Sequence, residues 1–93
     1  HAGYIYSGQV AAYAYKAVSQ MCCDTVIVIA PSHRAYFDGI AVWDSGSFRT
    51  PLGNIGIDEE AARELIGLCD MFIPNKDVHR AAHSLEVQLP FLQ

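Results

Sequence analysis

Ninety-three residues, 52% hydrophobic and 17% charged, suit one small domain and exclude a disordered chain, because there is enough apolar side chain to build a core. The net charge of −4, with six Lys and Arg scattered along the chain, excludes a general nucleic-acid or membrane-surface binder, since no basic patch exists to neutralise phosphates. The apolar run Val26 to Ala30 is far too short to span a bilayer.

The chain opens on His1-Ala2-Gly3-Tyr4, where Gly3 lets the backbone come close to a neighbour. Ser7 to Gln20 reads as a helix. Val10, Ala11, Ala14, Ala17, Val18 and Met21 recur near the spacing of one apolar stripe, alanine favours helix and permits close packing on a sheet, and Ser7 is placed to cap the start. Cys22 and Cys23 are adjacent and, with Cys69, make neither a disulfide framework nor a Cys-x-x-Cys pair. They read as small buried side chains in a reduced, cytoplasmic compartment. Thr25 to Ala30 is β-branched without alternation, which predicts a central parallel strand buried on both faces. Pro31-Ser32-His33 ends it abruptly, and in open α/β sheets ligand chemistry collects at the carboxyl ends of strands.

Ile40 to Trp43 and Asn54 to Ile57 predict shorter strands separated by turn-rich sequence. Pro51 is excluded from a central strand, so this stretch reads as an excursion or edge hairpin. Asp58 is placed as the N-cap of a helix from Glu59 to Cys69. Glu59 and Glu60 lie in its first turn, where the helix dipole favours acids, and Ala62, Leu65, Ile66 and Cys69 form its apolar face. Phe72-Ile73-Pro74 is a short apolar stretch and Asn75-Lys76-Asp77 a turn. A third helix begins near Ser84, with Pro90 near its end. Strands alternating with helices give an α/β class. Leu89 to Gln93 stops inside an apolar segment, so both ends read as cut and residues 1–93 are expected to be a piece of one larger domain.

Histidine is the usual transition-metal ligand and the usual acid or base near neutral pH, which singles out His1, His33, His79 and His83. His1 and His33 stand on separate loops and would suit an open Fe(II) or Zn(II) site; the plainer reading of each is a histidine merely hydrogen-bonded at a strand end. His79 is expected to be solvated. His83 lies in Ala82-His83-Ser84-Leu85-Glu86, where Glu86 is either a pocket residue or a solvated helix position, and Ser84 either a pocket residue or a cap. Ser32 beside His33 makes no catalytic triad, since sequence neighbours rarely have nucleophile–base geometry. No P-loop and no dinucleotide fingerprint is present.

Three segments together are specific. His1-Ala2-Gly3-Tyr4-Ile5-Tyr6-Ser7-Gly8 resembles the opening motif of the Memo family. Ala30-Pro31-Ser32-His33 followed by Asp38-Gly39 resembles its second motif, and Ala82 to Gln93 its third. Thr50-Pro51-Leu52-Gly53 and Ile57-Asp58 match in the expected order, so the resemblance covers the whole chain. It implies a three-layer α/β sandwich with a largely parallel central sheet, similar to the class III extradiol dioxygenases, of which residues 1–93 would be the N-terminal part. It further implies that His1 and His33 are two ligands of a divalent metal, iron or zinc, with the third ligand and the basic histidine lying downstream. Ser32, His83 and Glu86 would line or support the pocket, and no residue of this chain would be catalytic by itself. Ala82 departs from the family's Glu at that position, which weakens the pocket. The resemblance implies a radical-SAM protein as partner in microbes and a cell-motility role in animals. A non-catalytic module that uses the same cleft for a peptide or protein partner is the alternative.

Overall fold

The N-terminal helix starts earlier than its apolar pattern predicts. In the computed structural model, which describes residues 1–93, a π-helical turn over Tyr4–Gly8 leads directly into α1, Gln9–Val18. Ser7 therefore lies inside the helical run instead of capping it, and its hydroxyl donates to the Ala2 carbonyl at 3.1 Å. The expected stripe is also rotated. Val10 and Met21 are 75% and 66% exposed, while Ala11 and Tyr15, one turn apart, face inward. Tyr15 stacks on Phe91 with ring centres 5.0 Å apart, and Tyr4 meets the same ring edge-on at 6.0 Å. These contacts turn the helix, because aromatic rings bury more area than alanine methyls.

Thr25 to Ala30 corrects the sequence reading most plainly: it forms no strand. The segment makes no backbone–backbone hydrogen bond, and Val26, Ile27 and Ile29 are exposed. Strand propensity is expressed only against a neighbouring strand, and neither edge of this run has one. Cys22 and Cys23 just before it are exposed rather than buried, for the same want of covering structure. The Thr25 hydroxyl anchors the run by donating to the Asp58 carboxylate at 2.5 Å.

The α/β character comes instead from a parallel pair, β1 (Ile40–Val42) beside β4 (Phe72–Pro74), in the register Ile40 to Phe72, Ala41 to Ile73 and Val42 to Pro74. Gly39 leads into β1 with φ +108°, a conformation that L side chains avoid. A Cβ there would lie 2.6 Å from the Met71 carbonyl oxygen, the same atom that accepts from the Ile40 N–H. The connection between the two strands carries an antiparallel hairpin, β2 (Ser47–Thr50) and β3 (Gly53–Gly56), and then α2, Glu59–Leu68. Pro51 sits in the hairpin turn, as its missing N–H requires. Asp58 caps α2 by accepting from the Ala61 N–H at 3.0 Å.

Past β4 come two short helices, α3 (Lys76–Arg80) and α4 (His83–Glu86), and a 3₁₀ turn over Leu89–Phe91 that accommodates Pro90. The expected third helix is thus a single turn with Ala82, not Ser84, at its cap. The buried residues are Ala62, Ser84, Val87 and Leu89. The accessible surface is 6999 Å², whereas a folded monomer of 10.2 kDa exposes about 5,300 Å². Large apolar side chains stand exposed on that surface, among them Ile5, Tyr6, Tyr13, Ile27 and Ile29.

Candidate functional site

Two loops and the start of α4 meet at one end of the chain. Ser84 is 4% exposed, and its hydroxyl donates to the Pro31 carbonyl at 2.8 Å, which pins the Pro31-Ser32-His33 loop against α4. The Ser84 carbonyl accepts from Gln88 Nε2 at 2.9 Å, and Gln88 Oε1 accepts from the Tyr15 hydroxyl at 2.6 Å. That relay fixes α1, and with it the His1 end, against the same turn. Burial raises the Tyr15 pKa and keeps its phenol a donor.

The result brings His1 and His33 together, with ring centres 5.4 Å apart and planes tilted by 39°. Both line a cavity of about 190 Å³ with Arg34, His83 and the Ala81–Ser84 turn. His83 Nδ1 pairs with Glu86 Oε2 at 2.9 Å, and Glu86 lines an adjoining depression of about 450 Å³ that shares Arg34 and His83. Ser32 is turned into its own loop, donating to the Ala35 carbonyl at 2.7 Å and accepting from the Ala35 N–H at 3.3 Å. It does not line the cavity.

Two imidazoles on one tetrahedral metal, with metal–nitrogen bonds of about 2.1 Å, hold their ring centres roughly 5.3 Å apart. The spacing of His1 and His33 therefore fits a shared divalent ion. No third His, Cys, Asp or Glu converges with them, so the donor set within these residues is two neutral nitrogens.

His79 is not solvated, as its sequence context suggested. It is half-buried, lies edge-on to Trp43 with ring centres 5.9 Å apart, and its Nε2 lies 3.1 Å from the Ala41 carbonyl, to which it donates. Burial lowers its pKa, and the Ala41 bond opposes that in part. Nearby, the Lys76 ammonium donates to Ser45 Oγ at 2.5 Å and lies 3.4 Å from the Asp44 carboxylate. The Ser45 hydroxyl donates in turn to Asp44 Oδ1 at 3.4 Å, so lysine, serine and aspartate form one small polar cluster. Three residues matter here in ways that their sequence neighbours do not encode. Ser84 reads in sequence as a pocket residue or a cap, whereas its contact lies 53 positions away. Gln88, inside the third motif, and Arg34, just after the second, carry no signal beyond being polar.

An α/β chain with two converging histidines on loops is the class that this geometry defines. The chain belongs to the Memo-like protein family, whose model matches residues 1–93. It is similar to MEMO1 family proteins of Sulfolobus acidocaldarius (43% identical over 94 residues), Thermoplasma volcanium (42% over 93) and Aeropyrum pernix (43% over 94). Each match takes in 100% of this chain and 33%, 35% and 34% of the relative, respectively, so the chain spans about a third of the length of these proteins. No solved structure gives a significant match.

Proposed function

We propose that His1 and His33 are two ligands of a divalent metal, zinc or iron, in a Memo-like protein whose chemistry depends on that ion and resembles the non-haem site of extradiol dioxygenases. The observation that carries this reading is the 5.4 Å spacing of the two rings. A metal there would supply Lewis acidity and an open coordination position. His83, oriented by Glu86, and the Ser32 loop are proposed to shape its surroundings. Two neutral donors hold a divalent ion weakly, so the 93-residue chain alone is expected to lose metal on dialysis.

The test uses protein expressed from the full reading frame. His1→Ala and His33→Ala are each expected to weaken zinc binding by at least roughly 100-fold in calorimetric titration, since even the partners of metal ligands cost 10–100-fold. Unchanged affinity in both variants sinks the proposal. The competing reading is a non-catalytic module with a peptide or protein partner in the same cleft. It expects no stoichiometric metal in the wild-type protein.

A further inference from the structure

We infer that the cleft takes a small oxyanion, the carboxylate or phosphate group of a ligand, on the guanidinium of Arg34. This concerns the site proposed above but does not require the metal. Arg34 is exposed and lines both the cavity beside His1 and His33 and the adjoining depression, so it stands where the two meet. The ion pairs within residues 1–93 are Lys76 with Asp44, Arg80 with Asp77, and His83 with Glu86, so Arg34 has no carboxylate partner among these residues. Lys16, Arg49 and Arg63 are also unpaired, but none of them lines this cleft.

The charge balance points the same way. The chain as a whole carries −4, yet the ionisable lining of the two depressions is Arg34, Arg80, Glu86 and three histidines. Glu86 is hydrogen-bonded to His83 and Arg80 is paired with Asp77, so Arg34 is the charged side chain of the lining with no partner of its own among these residues. A guanidinium presents parallel N–H donors in a planar fork that matches carboxylate and phosphate oxygens two at a time. A cavity of about 190 Å³ is below the range of drug-sized pockets, which suits a small ion or the head of a larger ligand.

The experiment titrates inorganic phosphate and, separately, acetate into full-reading-frame protein held in chelator, following the arginine side-chain Nε–H resonances by NMR. Saturable phosphate or acetate binding that moves the Arg34 resonance is expected, and the tighter of the two identifies the oxyanion class. Arg34→Ala is expected to weaken it at least tenfold, and Arg34→Lys at least threefold because the fork is lost. Arg63→Ala, on α2 outside the cleft, is expected to leave it unchanged. Wild-type affinity in Arg34→Ala, or equal loss in Arg63→Ala, overturns the inference. Because chelator is present throughout, failure here is distinct from failure of the zinc titration.

Discussion

Ser84→Ala tests the link between packing and site most directly. The substitution removes a single oxygen, so the cavity term is small and the change chiefly reports one hydrogen bond, from the Ser84 hydroxyl to the Pro31 carbonyl. A buried acceptor left unpaired costs about 1–3 kcal/mol. Pro31 is exposed, however, and water can reach its carbonyl once the hydroxyl is gone. The expected loss is therefore the net value of an ordinary hydrogen bond, about 1 kcal/mol, or a fivefold shift in the folding equilibrium. Urea unfolding should show a midpoint lower by roughly 0.5–1 M with an unchanged slope. The more telling readout is local: the His33 imidazole resonances should move and its cross-relaxation with His1 should weaken, because the tether lies two residues away. Ser32→Ala serves as the contrast. Its hydroxyl bonds only within its own exposed loop, so stability should change by less than about 0.5 kcal/mol. A Ser84→Ala variant with wild-type stability and unmoved His33 resonances would refute the reasoning.

Gly39→Ala is expected to cost about 2 kcal/mol or more, since it combines a positive φ with a Cβ pressed on the Met71 carbonyl. Gly56→Ala, with open space around its Cβ, should be neutral or slightly stabilising in the same urea assay. His79 sets an acid limit. Its folded pKa is below the ordinary value of 6.5, so the unfolded chain takes up the proton first. Its contribution to stability is whole above pH 6.5 and lost as pH falls through the folded value; His79→Gln should flatten that slope in unfolding curves measured between pH 7 and 5.

What the sequence made legible was local. Asp58 as a cap, α2 behind it, Pro51 in a turn and Ile40 at the start of a strand each rest on neighbours within a few positions, and the structure has all of them. Thr25 to Ala30 departs from its sequence expectation because its β-branched composition states what it would do beside a strand, not whether one is there. His79 was misread because its burial depends on Trp43, far off in sequence. The candidate site divides likewise. His1 and His33 were singled out by motif, but nothing near either encodes their approach. That depends on the relay from Tyr15 through Gln88 and Ser84 to Pro31, which joins the two ends of the chain.

Trp43 is the chain's single tryptophan, packed against Phe48 with ring centres 4.3 Å apart and planes tilted by 43°, and held by its indole N–H on the Ser45 carbonyl at 2.7 Å. All five tyrosines lie at or before Tyr36. The molecule is therefore optically divided. Tryptophan emission follows the docking of the hairpin on β1 and α3, where the nearby His79 imidazolium would quench it on acidification. Tyrosine absorbance follows the N-terminal helix and its seat on Phe91. Coincident loss of both signals in denaturant marks one cooperative unit, whereas earlier loss of the tyrosine signal shows the helix leaving before the hairpin opens.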